Sequence, residues 1–538
     1  MHRKADEIGA DLLLIDTGDR IEGNGLYDAS SPKGRYDYDI FKEQDIDVIC
    51  TGNHELYQID SAAREYTETV PNFKGKYIAS NLDYIKPETG ERIPMAQRYR
   101  KFTTKNQGIR VLAFGFLFDF TGNANNTVVQ PVEKTIEEKW FQDAIREDVD
   151  LFLVAGHVTL HGPEYKAIFK AIRSQKWDTP IQFFGGHSHI RDFAKYDSKA
   201  YGVQAGRYME TIGWMSIDGI KGKGKKEDPK DVELRSSMSF QRRYIDNNLF
   251  GYHYHTGLNE STFPTKHGQN VSAAIHKARK ALNLDYSYGC APRDLWMSRT
   301  PYPGDNSLFS WLEKEVLTDV AINSERKDTP RLVIFNSGGM RFDIFKGPFT
   351  RDSTYIVSPF VSVFKYIKDV PFKAASQVLP LLNNGGPIFE ASKLQTWQLA
   401  PPEQLATRSE FIGPRIPVKD PLFSVVVQRP LLSSAPELVP GYTTKDEAGD
   451  DGDDTLHAPI TFYKMPNCIQ SSISMPENGD PDTVDLVFLD FIQPWILTAL
   501  RFTGQVYNDS SVEDYRPEEF TDLLADWIKK NWAKDCQK

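Results

Sequence analysis

The chain has 538 residues, 40% of them hydrophobic and 26% charged, with 64 Lys and Arg against 74 Asp and Glu for a net charge of −10. An ordinary apolar fraction predicts a soluble globular protein of several domains, and the acidic surplus argues against gripping a nucleic-acid backbone. The most apolar run, "VLAFGFLF" (111–118), is too short to span a bilayer.

In chain order, the first half alternates short apolar strands with helical stretches, the pattern of an α/β fold. The chain opens on a helix-like "HRKADEIGA", without the order of charge, apolar run and small-residue site that marks a secretory signal. Strands are predicted at "DLLLID" (11–16), "IDVICTGN" (46–53), "IRVLAFGFLF" (109–118), "DLFLVAGH" (150–157) and "IQFFGGHSH" (181–189). Between the last two, "GPEYKAIFKAIRSQ" reads as a helix with Tyr165, Ile168, Phe169 and Ile172 on one face. The Gly- and Lys-rich "DGIKGKGKKEDPKD" (218–231) is a solvated hairpin or linker, and "HGQNVSAAIHKARKALNLD" (267–285) is a connecting helix. Beyond it come the helix "SLFSWLEKEVLTDVAI" and the strand "PRLVIFNSGG" (330–339). The acidic "DEAGDDGDD" (446–454) lacks the ordered spacing and closing Glu of a calcium loop. A last amphipathic helix carries Phe520, Leu523, Leu524, Trp527 and Ile528, with Pro517 near its first turn.

Four cysteines do not make a disulfide scaffold and match no zinc motif. One pair, such as Cys290 with Cys468, could bridge in an oxidising compartment. N-x-S/T sequons occur at Asn125, Asn259, Asn270 and Asn508.

The chemistry concentrates at strand ends. "IDTGD" supplies Asp16 and Asp19, "TGNHE" supplies Asn53 and His54, "VAGH" supplies His157, and "GGHSH" supplies His187 and His189. Open α/β sheets place ligand sites just beyond the carboxyl ends of their strands. Imidazole, carboxylate and amide oxygen together suit divalent ions such as Zn or Mn, and the mixed set suggests two ions sharing an Asp bridge. Groups costly to bury would then be satisfied by metal. Glu55 is expected to orient the backbone, and His161 to lie at the rim.

"GD" (18–19), "GNHE" (52–55), "GH" (156–157) and "GHSH" (186–189) resemble the calcineurin-like metallophosphoesterase signature. Over nearly its whole length the chain is similar to that superfamily's 5'-nucleotidase branch, especially fungal members. "NSGGMR" (336–341) and "SPF" (358–360) are similar to the branch's second-domain motifs. The resemblance implies an α/β metallophosphoesterase domain over 1–250, built as a β-sandwich flanked by helices. A linker with a helix follows over 251–285, then a C-terminal α+β 5'-nucleotidase-type recognition domain over 286–538. It implies two divalent ions, with Asp19 bridging, Asn53, His157 and His187 on one ion and His189 completing the other. His54 would stabilise the transition state or protonate the leaving oxygen. Asn336, Arg341 and Phe360 would hold the substrate's organic part, with Arg299 nearby. The implied reaction is hydrolysis of a small phosphate ester, 5'-nucleotides first, in a vacuolar or secreted protein. The alternative is an impaired member that binds nucleotide or phosphate ligands without turnover.

Three departures bear on these expectations. The family's Asp-x-His strand would precede "DLLLID", and its absence predicts a shortened start. Tyr57 stands where many relatives place an acid that orients the catalytic His. The late Gly-Gly-Asp-Gly segment is missing, leaving Phe491 of "FLDFIQPWIL" as the second aromatic or as a core residue.

Overall fold

A computed structural model describes residues 1–220, 238–404 apart from 393 and 395, 463–534, and 536. Most of the stretch predicted as a linker at 218–231 and all of the acidic loop at 446–454 lie outside the described residues. Contacts divide the chain into two compact units. The first holds Met1–Ile21 and Gly34–Lys277; the second holds Glu22–Lys33 and the described residues from Ala278 onward.

The first unit is built on a six-stranded mixed sheet. Its order is Arg191–Asp197, Ala200–Ala205, Ile181–Gly185, Leu151–His157, Arg110–Leu117, Tyr99–Thr103. The four inner strands run parallel and the two edge strands antiparallel. Strands covered on both faces read as continuous apolar runs, and every residue of Leu151–His157 is buried. Against one face, Val48, Cys50 and Ile78 pack with Val111, Ala113, Leu151 and Leu153. They bring with them a short parallel pair, Ile15–Asp16 with Val48–Ile49. The predicted helix is Pro163–Gln175. Its Tyr165 ring lies 4.9 Å from that of Phe183 and its hydroxyl donates to the Phe184 carbonyl at 2.6 Å. Tyr165, Ile168 and Ile172 are buried, whereas Phe169 is only half-buried. Each fully buried side chain of this size contributes about 1.5–3 kcal/mol. The chain starts on a short helix, His2–Glu7, and the helix Lys266–Ala281 carries it into the second unit.

The second unit centres on a five-stranded sheet ordered Cys468–Ile473, Arg331–Asn336, Thr483–Leu489, Val363–Pro371, Glu513–Glu519. Side chains alternate across it. Val333, Phe335, Val487 and Leu489 enter one apolar cluster with Trp311, Phe520 and Trp527. Leu332, Ile334, Leu486 and Phe488 enter another with Val378, Ile496 and Leu500. The terminal helix is Phe520–Asn531. Pro517 is not in its first turn but in the edge strand Glu513–Glu519, where a missing N–H costs no ladder bond on the open side.

The disulfide joins Cys290 to Cys536, not to Cys468, which is a buried thiol like Cys50. Cys468 lies inside the sheet, paired in register with Asn336, whereas Cys290 forms a backbone bridge with Ala533 beside the terminal helix. Spacing carries no information about that proximity. Among the described residues no helix is long and apolar enough to cross a membrane.

Candidate metal centre

The turn after Ile15–Asp16 is shaped by two glycines and an acid. Gly18 has φ +89°, and a Cβ there would meet the Gly52 nitrogen at 2.1 Å. A Cβ on Gly52 would meet Asp19 Oδ1 at 2.1 Å. Only glycine permits this approach of the two loops. Glu55, fully buried, ties them together: its carboxylate accepts N–H bonds from Asp19 at 3.0 Å, Arg20 at 2.6 Å and Gly52 at 2.8 Å. Behind the turn, the buried Arg20 guanidinium donates to Asp16 Oδ1 at 2.9 Å, to the Cys50 carbonyl at 2.8 Å and to Glu65 Oε1. Tyr77 donates to the same Glu65 oxygen at 2.5 Å.

Asp19 is thereby held in the left-handed region at φ 60°, as are His187 at 73° and His189 at 59°. Residues other than glycine rarely sit there, and such backbone clusters at functional sites. Asp19 Oδ1 accepts the His54 backbone N–H at 3.0 Å, and Oδ2 lies 2.9 Å from His157 Nε2 and 3.8 Å from His54 Nε2. Burial pushes the Asp19 carboxyl up, but His157 and His54 outweigh it and hold the group well below the usual carboxylate range.

Strand Leu151–His157 delivers His157 at its carboxyl end. The ring Nδ1–H donates to the Thr17 carbonyl at 2.9 Å, which fixes the ring with Nε2 turned toward Asp19, the orientation a metal-binding imidazole needs. Beyond strand Ile181–Gly185, His187 stacks on Phe118 at 4.2 Å and meets the His157 ring edge-on at 5.2 Å. Asp19, His157 and His187 each offer a ligand atom, all within 4.8 Å of one another. Asn53 is buried beside them in sequence, between Gly52 and His54, which both touch Asp19. Its Oδ1 has no hydrogen-bond partner, while its Nδ2 donates to the Tyr57 hydroxyl at 3.1 Å. A buried carbonyl oxygen left unmatched is costly, and carboxylate, imidazole and amide oxygen together are the donor set of a divalent ion. The residues therefore fit a metal.

His189 follows on the same loop, its ring 6.0 Å from Tyr208 and outside the tight trio. His161 is half exposed and pairs with Asp192 at 3.2 Å, a bond that raises its pKa. Within the second unit, Asn336 ends strand Arg331–Asn336, buried, with Oδ1 lacking a hydrogen-bond partner. The Arg341 guanidinium lies 5.1 Å from the Phe360 ring. Arg299 lies over Trp296 at 5.0 Å, with Nε 3.8 Å from Asp343 Oδ2. Phe491 is 42% exposed and stacks on Trp495 at 5.8 Å, so it is not a core residue. Sequence reasoning did not single out Phe118, Arg20 or Glu65 for the site: Phe118 reads only as the end of an apolar strand, and nothing local pairs Arg20 with Glu65 across 45 positions.

Comparison with known proteins agrees with this geometry. Residues 2–191 match the family described as calcineurin-like phosphoesterase, and residues 294–497 match the NAD nucleotidase C-terminal domain. The crystal structure of a 5'-nucleotidase from Candida albicans superposes with a TM-score of 0.82 at 36% identity, covering 99% of this chain and 91% of that one. The chain belongs to the calcineurin-like phosphoesterase family. This phosphoesterase couples the family's metal-site domain to a 5'-nucleotidase-type C-terminal domain, and is a hydrolase of phosphatase type. A "Secreted protein" of Arthroderma benhamiae is 36% identical over 99% of this chain and 85% of its own length. An uncharacterised protein of Schizosaccharomyces pombe is 36% identical over 100% of this chain and 86% of its own.

Proposed function

We propose that this phosphoesterase is a 5'-nucleotidase-like phosphomonoesterase that works with two divalent ions. The observation that carries the reading is the meeting of Asp19, His157 and His187 within 4.8 Å; the buried Asn53 oxygen with no hydrogen-bond partner, next in sequence to the His54 amide that Asp19 accepts, supports it. Asp19 would bridge the ions, Asn53, His157 and His187 would hold one, and His189 would complete the other. Bound ions would supply Lewis acidity toward phosphate oxygens and lower the pKa of water. The chain's own groups do the rest. His54, anchored by its N–H to Asp19, supplies the proton to the ester oxygen as its bond to phosphorus breaks, while water adds to phosphorus to give inorganic phosphate and an alcohol. Asn336, Arg341, Phe360 and Arg299 form the recognition set: the guanidinium of Arg341 and the ring of Phe360 present a cationic and an aromatic face suited to a nucleotide's phosphate and base.

The Cys290–Cys536 disulfide favours an oxidising compartment. Together with the sequons, exposed at Asn125, Asn259, Asn270 and Asn508, and a relative named as a secreted protein, it supports a glycosylated protein of the secretory pathway.

The test is metal analysis combined with phosphate release over a panel of nucleotides, nucleotide sugars and simple phosphomonoesters. Mn- or Zn-dependent release that H54A lowers by about 10²–10⁴-fold, with metal content kept, is the expected result. Nucleotide binding without metal-dependent release would overturn it in favour of a binding protein.

A further inference from the structure

Tyr57 occupies a position where an acid would orient His54, yet its hydroxyl accepts a hydrogen bond from Asn53 Nδ2 at 3.1 Å. We infer that Tyr57 is a positioning residue for the metal ligand Asn53, fixing the plane of its amide so that Oδ1 faces the ion. The inference rests on the metal-site reading above and adds to it a residue that reading does not use.

An amide has two chemically different ends, and only its oxygen can ligate a cation. If the group rotates by half a turn, two N–H donors replace the ligand. Nothing in the αR backbone of Asn53 selects one end over the other. What selects is the partner of each end. Nδ2 is engaged by Tyr57, and Oδ1, buried, is left with no hydrogen-bond partner. Asn53 itself is 2% exposed, so water cannot take over the task of satisfying Nδ2.

The hydroxyl can hold the amide because the ring that bears it is itself fixed. Tyr57 meets the His54 ring edge-on at 5.3 Å and the Phe120 ring edge-on at 5.3 Å. Edge-to-face pairs of this kind contribute about 0.5–1.5 kcal/mol each. The spacing also follows from local structure. Residues 54–56 form a single 3₁₀ turn and Tyr57 continues it in the αR region, which keeps position 57 within reach of position 53, whereas an extended chain would carry it away. A carboxylate at 57 could accept the same bond but would add a negative charge next to the His54 ring. A phenol fixes the amide without that charge.

The test uses the full chain stripped of metal. Binding of Mn²⁺ and of Zn²⁺ is measured by calorimetry for wild type, Y57F, N53A and the double variant, with the melting temperature of each metal-free chain recorded. Y57F keeps the ring and both ring contacts. Its metal affinity is expected to fall about 10–100-fold, the usual cost of losing a residue that orients a ligand, with the metal-free melting temperature near wild type. In the N53A background, Tyr57→Phe is expected to change affinity no further. In N53D, whose two oxygens are equivalent, the loss is expected to shrink to a few-fold at most by the same reasoning; this comparison also decides the matter if Y57F alone melts early. Wild type that binds neither ion overturns the metal-site reading itself. Wild type that binds while Y57F binds equally well, or a Y57F loss that is undiminished in N53A, overturns the role of Tyr57 alone.

Discussion

The carboxylate of Glu55 accepts the backbone N–H of Asp19 at 3.0 Å across 36 residues of sequence. The acid that follows His54 is thus a clamp on backbone, holding the aspartate turn against the turn that carries Asn53. E55A would remove a fully buried carboxylate and leave the half-buried Asp19 and Arg20 amides and the buried Gly52 amide without their acceptor. Each such orphan costs about 1–3 kcal/mol. Urea unfolding is expected to register a loss of at least about 3 kcal/mol by the same measure, with metal content falling in parallel. E55Q, keeping one acceptor oxygen, is expected to lie between.

Arg20 should be as sensitive for a different reason. Its side chain is 6% exposed and compensates Asp16 and the nearly inaccessible Glu65. Burial alone would lower its pKa, but Glu65, Glu55 and Asp16 raise it well above the ordinary value. R20M removes the cation and strands buried carboxylates, at a cost of about 3–5 kcal/mol. A double variant, R20M/E65L, is expected to recover much of that loss in the same unfolding measurement, because the uncompensated charge goes with its partner.

Gly52→Ala is the sharpest test of the turn itself. The new methyl would lie 2.3 Å from the Asp19 nitrogen and 2.1 Å from its Oδ1, distances at which atoms overlap, so the aspartate must move. Misplacement of about 1 Å at a reacting centre can cost 10²-fold. G52A is expected to lose at least that factor in kcat, and to bind metal more weakly, while circular dichroism stays native.

Asp28, in the second unit, predicts a pH effect. Burial, reinforced by Glu22, pushes its carboxyl up to about 8, against the opposing pull of Lys33, 3.8 Å away, and of the Gly23 and Asn24 amides. The folded state therefore holds a proton that the unfolded chain releases near the ordinary carboxylate value of about 4. The stabilisation is fully present below about pH 4 and is lost as pH rises through 8. Tm is expected to decline over that window. D28N, which is neutral throughout and keeps an oxygen for the Gly23 and Asn24 amides, should flatten the decline. A D28N curve parallel to wild type would contradict the assignment.

Cys290 and Cys536 enclose a loop with a sequence separation of 246. On the chain-entropy account, a bridge of that span restricts the unfolded state by about 5 kcal/mol. Reductant, or C290S, is expected to lower Tm. Peptide mapping under non-reducing conditions should recover the 290–536 cross-link and an unmodified Cys468.

How much of this was legible beforehand depends on the range of the interaction. The apolar runs ending in His157 and Gly185 declared themselves because a strand covered on both faces must be apolar throughout. The meeting of Asp19, His157 and His187 was legible because Asp and His at successive strand ends point to one place in such a sheet. The strand expected at 11–16 shrinks to Ile15–Asp16, since the ladder register is limited to Ile15 with Val48 and Asp16 with Ile49. What could not be read were pairings between distant positions with no local trace. Arg20 with Glu65 and Cys290 with Cys536 each depend on the fold first bringing the segments together. Pro517 misled because proline suits a helix start and an edge strand equally well.

Three residues after Asp19, the chain departs from the first unit and returns to it only at Gly34. In between, the helix Gly25–Asp28 belongs to the second unit, where the Gly25 amide donates to Asp352 Oδ1 at 2.9 Å and Arg279 reaches the other oxygen of the same carboxylate. A polypeptide severed near residue 278 would leave the later piece short of its own helix and the earlier piece trailing one that belongs elsewhere. The two halves are interlaced by covalent connectivity, and neither can be excised by one cleavage without taking a part from the other.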